Sequence, residues 1–397
     1  MAAAEERDAA AASSLAEFHA SRAGVRGLVE SGATAVPPLF LLPPGCGRER
    51  SPPPPPPQRA TAFAIPTVDL SLPRSATVPL VRAAATSCGF FHVTSHGVPH
   101  GTVASAVAAV RAFHEQPAAS RSPCYSLAPV GGVAYSTIPI QQQPLPQGGS
   151  SSDHRAATAA SPLLPWRDSL VVRFGPGAPP NLGRLPAACR DALPEYQRSL
   201  TVFGKEMVGL LSEALGGGGG GGVGAERLER EMQVEGWLMA CHYYPPCPEP
   251  ERVVGSLEHT DPSLFTVLAQ DAVGGLQVRR EEEEGGGGGG EWVDVAPVAG
   301  ALVVNVGDVL KMVSNEEYKS VEHRVVIKSS QDARVSIAVF FNPAKRDASD
   351  LFGPLPELLT AERPARFRRF SVPEFMRSRR ESGHGKSSID SFRIAAD

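Results

Sequence analysis

The sequence predicts a mainly β protein with helices, and three observations carry that expectation. Past Trp237, short apolar runs recur at turn-punctuated intervals, the pattern of a sandwich or barrel. Residues 65–115 alternate strand and helix periods, which places an α/β region ahead of the β-rich part. The strongest helical spacing in the chain, over 185–215, stands between the two.

Taken in order, residues 1–14 are Ala-rich and charged, a composition that argues against a packed start. Leu15 to Glu30 sets Leu15, Phe18, Val25, Leu28 and Val29 near helical spacing and predicts a short helix. The run Pro52 to Pro57 favours an extended polyproline linker. Ile65-Pro-Thr-Val-Asp-Leu70 and Gly89-Phe-Phe-His-Val-Thr94 read as strands, the second closed by a Ser95–Pro99 turn. Val78–Cys88 and Val103–Phe113 read as helices. Residues 116–165 lack periodicity and predict a long irregular loop, ended by a strand at Trp166–Val172.

Strands follow at 237–244, 263–270, 275–278, 292–295, 301–306, 323–327 and 335–342. Gly216–Gly222 ends the long helix, and Glu281–Gly290 reads as a solvated hairpin loop. Val372–Arg380 predicts a basic helix followed by a mobile tail. These shifts divide the chain into four parts. They are a partly disordered extension (1–60), a mixed α/β region (61–222), a β core (235–345) and a C-terminal helix and tail (346–397).

Composition narrows the function classes. Of 397 residues, 42% are hydrophobic, enough for a sizeable core, and the net charge of −4 with interspersed signs leaves no basic stripe. No nucleic-acid or membrane partner is expected. Six cysteines without a CxxC pair read as reduced thiols. The start lacks the features of a secretion signal, so a cytoplasmic monomer is the expectation.

Chemistry concentrates in Glu258-His-Thr-Asp261. An imidazole and a carboxylate at i and i+2 on a strand share a face, and a buried carboxylate is costly unless paired or metal-bound. His323, in a second β-rich run, supplies a third donor. Two histidines and a carboxylate are the facial triad of non-haem Fe(II) oxygenases. Of the other histidines, His19, His100, His154 and His384 read as surface or loop residues, His92 and His96 as core or turn residues.

Eleven residues after His323, Arg334-Val-Ser336 sets a guanidinium and a hydroxyl on one face, with Ala338 and Phe340. Such a pair can grip the distal carboxylate of a dicarboxylic keto acid. Upstream, His242 and Tyr244 share strand parity, leaving Tyr243 to pack on the other side. Phe340 is the candidate for stacking on a flat substrate.

The ordered motifs resemble those of the plant 2-oxoglutarate- and Fe(II)-dependent dioxygenases. They are Tyr-Tyr-Pro-Pro-Cys-Pro248, Glu-His-Thr-Asp-Pro262, Gly-Gly-Leu-Gln-Val278, Asn-Val-Gly-Asp308, Ser-Asn-Glu-Glu-Tyr-Lys-Ser-Val-Glu-His-Arg324 and Arg-Val-Ser336. Ile65–Leu70, Gly89–His92, Ser95–Pro99 and Trp166-Arg-Asp168 resemble the family's N-terminal part. Gly24–Gly32 and Phe113–Pro117 are similar to the 1-aminocyclopropane-1-carboxylate oxidase homologue subgroup.

The resemblance implies a double-stranded β-helix, or jelly-roll, core. It assigns iron to His259, Asp261 and His323, and the distal carboxylate of 2-oxoglutarate to Arg334 and Ser336, with Tyr244 assisting. The family usually has Asn where His242 stands, a departure at a cosubstrate contact. Fe(II), 2-oxoglutarate, O2 and ascorbate as reductant are the implied cofactors. Succinate and CO2 would be released as a small plant secondary metabolite is oxidised, most simply hydroxylated. Two alternatives share the scaffold, an ethylene-forming 1-aminocyclopropane-1-carboxylate oxidase and a catalytically inactive jelly roll. The inactive form would lack a triad residue or the arginine, and all are present.

Overall fold

A computed structural model of the chain describes residues 13–43, 64–137, 163–175, 177–216, 222–280, 290–382 and 389–395. The strands are β1 (Thr67–Asp69), β2 (Phe90–Thr94), β3 (Val133–Ser136), β4 (Asp168–Arg173), β5 (Val234–Tyr244) and β6 (Ser256–His259). They continue with β7 (Phe265–Gln270), β8 (Leu276–Arg280), β9 (Glu291–Asp294), β10 (Leu302–Val306), β11 (His323–Val325) and β12 (Arg334–Pro343). The major sheet runs β1-β2-β10-β7-β12-β5-β4-β3 and the minor sheet β6-β11-β8-β9. Strands from both halves of the chain thus share one sheet, and the core is the double-stranded β-helix that the motifs implied.

Alternation along β12 shows how the sheet divides its two faces. Val335, Ile337, Val339 and Phe341 join the apolar core formed with the long helix Ala192–Ala214 and its neighbours. Arg334, Ser336, Ala338 and Phe340 take the opposite face, as period 2 requires. β5 is split in the same way. Met239, Cys241 and Tyr243 pack outward with the helices, while Tyr244 joins a second cluster with Phe90, Val278 and Val325 between the sheets. The helix approaches so closely that a Cβ on Gly204 would overlap the Phe341 ring.

Described segments from both the N-terminal and C-terminal parts of the chain are tied to this core. Phe18, Val25, Val36 and Phe40 are buried with Trp166 in the inter-sheet cluster. The short helix Gly24–Glu30 starts on Asp168, whose carboxylate accepts from Val25 N (2.9 Å) and Arg26 N (2.8 Å). Gly24 has φ +66°, and a Cβ there would lie 2.6 Å from the Asp168 carboxylate. Phe392 is fully buried against Phe370 and Phe375, because an aromatic tail residue gains more from that pocket than from water. The tail is therefore docked where it resumes at 389–395, against the expectation of a mobile one.

Other differences are local. Residues 116–165 hold a helical turn, Ala118–Arg121, and strand β3, whose pairing with β4 is tertiary and has no signal in local periodicity. The helix expected over 185–215 begins only at Ala192, because Pro186 leaves a 3-10 turn, Ala187–Cys189, ahead of it. Short helices Arg227–Met232 and Asp308–Val313 have too few turns to show a period. β8 and β9 pair as the expected hairpin, Arg280 opposite Glu291. Its tip, residues 217–221 of the glycine tract, the Pro run, Cys46, His154 and His384 lie outside the described residues. No described helix is long and apolar enough to cross a membrane.

One buried group gives the fold a pH dependence. His114 is fully buried, stacked on Tyr243 with ring centroids 4.9 Å apart, and its Nδ1 bonds Val110 O at 2.8 Å. Burial pushes its imidazole down to about 3. Between the unfolded value near 6.5 and about 3, only the unfolded chain takes up this proton, so stability falls as pH falls through that window. His114→Phe keeps the stacking and removes the titration. Unfolding followed from pH 7 to 4 should lose up to ~1.4 kcal/mol less per pH unit in the variant than in wild type. Parallel curves would show that His114 is not the group responsible.

Candidate metal centre and cosubstrate pocket

β6 and β11 pair antiparallel with His323 directly opposite His259, and their rings lie 4.3 Å apart. Strand β6 ends at His259, so Asp261 does not share a strand with it, and strict alternation is not what unites the two. A turn after Thr260 brings the carboxylate back instead. Asp261 Oδ1 lies 3.6 Å from His259 Nε2 and 3.7 Å from His323 Nε2. These separations are too long for hydrogen bonds, and all three donor atoms fall within 4.8 Å of one another.

Neighbouring hydrogen bonds aim the donors. His259 Nδ1 bonds Leu257 O at 2.8 Å and His323 Nδ1 bonds Val321 O at 3.3 Å, which puts the proton on Nδ1 and the lone pair of each Nε2 toward Asp261. Asp261 Oδ2 accepts from Thr266 Oγ1 (2.6 Å) on β7 and Asn305 Nδ2 (2.9 Å) on β10, leaving Oδ1 open. Burial, then the neighbouring His323, pushes the His259 imidazole down to about 3. Burial alone would raise the Asp261 carboxyl, yet the two imidazoles, Asn305 and Thr266 hold it below its ordinary value. Two imidazole Nε2 atoms beside a carboxylate oxygen form a donor set that fits a divalent ion.

The turn is braced from below. Asp308 N donates to Asp261 O (2.7 Å), and the Asp308 carboxylate accepts from Thr260 Oγ1 and Ser320 Oγ, both at 2.8 Å. Arg379, from helix Val372–Ser382, pairs with Asp308 at 2.9 Å and also donates to Thr260 O. Phe90 packs edge-on against His323, with centroids 5.2 Å apart.

Further along the same inward face, Arg334 Nη1 donates to Ser336 Oγ (3.0 Å) and Nη2 to Gln270 Oε1 (2.9 Å). Its Cζ stands 4.9 Å from the Tyr244 ring, on the strand position directly opposite. Arg334 is buried and its Nε has no partner among the described residues, as is true of Arg167 Nε. Two buried guanidiniums with donors unmatched among the described residues fit a carboxylate from a ligand.

His242 sits beside them, opposite Ser336, with Nδ1 2.8 Å from Ser169 Oγ. Burial, then the charges of Arg167 and Arg334, keeps its imidazole well below its ordinary range and so neutral. Phe340, half-buried, pairs with Thr266 across the sheet. Gln270 carries no sequence signal of its own, since only strand register brings it to Ser336. Arg167 lies in the Trp166-Arg-Asp168 motif but has no period that marks it as inward-facing. His92 and His96 are buried, while His19 is half-buried on Tyr125.

Comparison with known proteins decides the family. Residues 236–343 match the 2OG-Fe(II) oxygenase superfamily, and 65–148 match the N-terminal region described as non-haem dioxygenase in morphine synthesis. 1-Aminocyclopropane-1-carboxylate oxidase homolog 6 of Arabidopsis thaliana is 34% identical over 94% of this chain and 93% of that protein.

The chain belongs to the 2-oxoglutarate- and Fe(II)-dependent oxygenase superfamily.

A homolog from Solanum lycopersicum is 33% identical over 96% of both chains. Among solved structures, JOX2 in complex with 2OG, Fe and JA aligns with a TM-score of 0.73 at 24% identity, covering 94% of this chain and 98% of that one. The rice dioxygenase for auxin oxidation aligns with a TM-score of 0.62 at 24% identity, covering 83% and 100%. As a superfamily member the protein is an oxidoreductase, a 2-oxoglutarate-dependent dioxygenase that uses Fe(II), 2-oxoglutarate and O2.

The Asn305 bond to Asp261 is expected to tune metal affinity. Asn305→Leu should weaken Mn(II) binding by ~10- to 100-fold in an equilibrium titration, the usual cost of losing an outer partner of a ligand. An unchanged dissociation constant would show that Thr266 alone orients the carboxylate.

Proposed function

We propose that this oxygenase holds Fe(II) with His259, Asp261 and His323 and the distal carboxylate of 2-oxoglutarate with Arg334 and Ser336, assisted by Tyr244 and His242. Its substrate is a small plant secondary metabolite, hydroxylated at a C–H bond laid against Phe340. The observation that carries this reading is Arg334. It is a buried guanidinium with an unmatched Nε, on the same sheet face as the residues that hold Asp261. When bound, Fe(II) and the keto acid activate O2, and decarboxylation to succinate and CO2 supplies the oxidising power.

The chain's own residues do the placing. The Nδ1 bonds of the two histidines fix their tautomers, Thr266 and Asn305 turn one Asp261 oxygen inward, and neutral His242 contributes a polar contact without a charge. An ethylene-forming oxidase would use the same triad without a keto acid, and buried Arg334 favours the keto-acid reading. A monomer in the cytoplasm is the assembly and location that go with this function.

Two measurements bear on the site. Anaerobic addition of Fe(II) and then 2-oxoglutarate should produce a visible metal-to-ligand charge-transfer band, and its absence overturns the assignment. Arg334→Ala should raise the 2-oxoglutarate requirement by ~10-fold or more, the scale of hydrogen bonds to a charged group, with the Fe(II) requirement unchanged. Equal loss of both would mark Arg334 as structural.

A further inference from the structure

Beyond the triad and the cosubstrate pocket, the end of β4 and the segment after β12 bring a second pair of guanidiniums, Arg173 and Arg346, to the two sides of Trp237's strand end. Arg173 ends β4 and shares parity with Ser169, which bonds His242 on that face. One row across the sheet reads Arg173, Leu238, Phe340, Thr266, and Thr266 holds Asp261. Three strand spacings of ~4.8 Å put Arg173 about 14 Å from Thr266 along the sheet, with Leu238 and Phe340 between.

The register slips between Phe340 and Phe341, where Leu238 pairs with Phe340 and Gly236 with Phe341, so Trp237 is the extra residue of a bulge. Arg346 stacks over it, Cζ 4.0 Å from the ring, and its Nε bonds Pro343 O at 3.0 Å. Arg173 Nε and Trp237 Nε1 are both buried and have no partner among the described residues. Neither arginine pairs with an acid there. The neighbouring carboxylate, that of the exposed Glu235, lies toward Gly175 and forms no ion pair with either.

We infer that Arg173, Arg346 and Trp237 form a receptor for a carboxylate on the substrate, whose flat or apolar body then lies over Leu238 and Phe340 toward the triad. Buried donors without partners are rare in folded proteins and mark a place a ligand completes. Two guanidiniums offer forked donors that suit a planar carboxylate, and the indole N–H adds another. The two also feel each other: burial, then the charge of Arg173, pushes the Arg346 guanidinium down to about 10, a strain that an anion between them relieves. This assignment deepens the proposed function by naming a substrate class, an aromatic or alicyclic carboxylic acid, and rests on that reading for the position of the oxidised C–H bond.

The test is an anaerobic calorimetric titration of the full chain loaded with Fe(II) and 2-oxoglutarate. The probes are 3-phenylpropanoate and naphthalene-1-acetate, each against its primary amide. The acids should bind at least tenfold more tightly than the amides. Arg173→Met and Arg346→Met should each remove most of that preference while leaving 2-oxoglutarate affinity unchanged. Acids that bind no better than amides, or a preference that survives both substitutions, would overturn the receptor. The wild-type comparison decides the matter even if a variant fails to fold. The charge-transfer band is recorded in the same samples. A missing band with the acid preference intact counts against the iron and keto-acid reading alone, and an intact band without the preference counts against the receptor alone.

Discussion

The site depends on Asp261 being held between sheets. Its two imidazole neighbours come from the minor sheet, while Thr266 and Asn305, which bond its other oxygen, come from the major one. A carboxylate buried this deeply is costly unless every lone pair has a use. The two hydrogen bonds satisfy one oxygen, the histidines' field stabilises the charge, and the remaining oxygen is left to face the Nε2 atoms. Separation of the two sheets would break the centre, so the jelly roll's inter-sheet packing is part of the chemistry as well as the stability.

The same logic explains why so irregular a segment as 260–264 is fixed. Functional residues sit on loops, but a loop must borrow rigidity from what it touches. Here Asp308 ties Thr260 and Asp261 to a helix start, and Arg379 ties Asp308 to the C-terminal helix. At the other end, Asp168 anchors the Gly24–Glu30 helix by accepting from two of its backbone amides, and is itself held by the Thr137 hydroxyl. Helices from the N-terminal and C-terminal parts of the chain, Gly24–Glu30 and Val372–Ser382, thus brace the barrel that holds the cluster.

Charge on the inward face is arranged along the strands. Arg334 and Arg167 lie at one end and Arg173 at the other, in the row that reaches Thr266 and so Asp261, with Arg346 stacked on Trp237 beside it. His242, close to the first pair, is kept neutral by burial and by their charge. Its ring offers a polar edge there without adding to the positive field.

Much of this was legible in residue order. The Glu258–Pro262, Ser314–Arg324 and Arg334–Ser336 motifs marked the residues that the structure gathers into the His259–Asp261–His323 cluster and the buried Arg334–Ser336 pair, and period 2 along β12 correctly separated Arg334 and Ser336 from the core-facing Val335 and Ile337. These features are local, since a motif's spacing and a strand's alternation are set within a few residues. What only the tertiary structure decided involves partners far apart in the chain. The Asp261 turn, the Gln270 contact to Arg334, the β3–β4 pairing and the bulge that places Trp237 under Arg346 all arise from strand register. Register is fixed by packing between distant segments, so it leaves no period in the sequence that a local pattern could reveal.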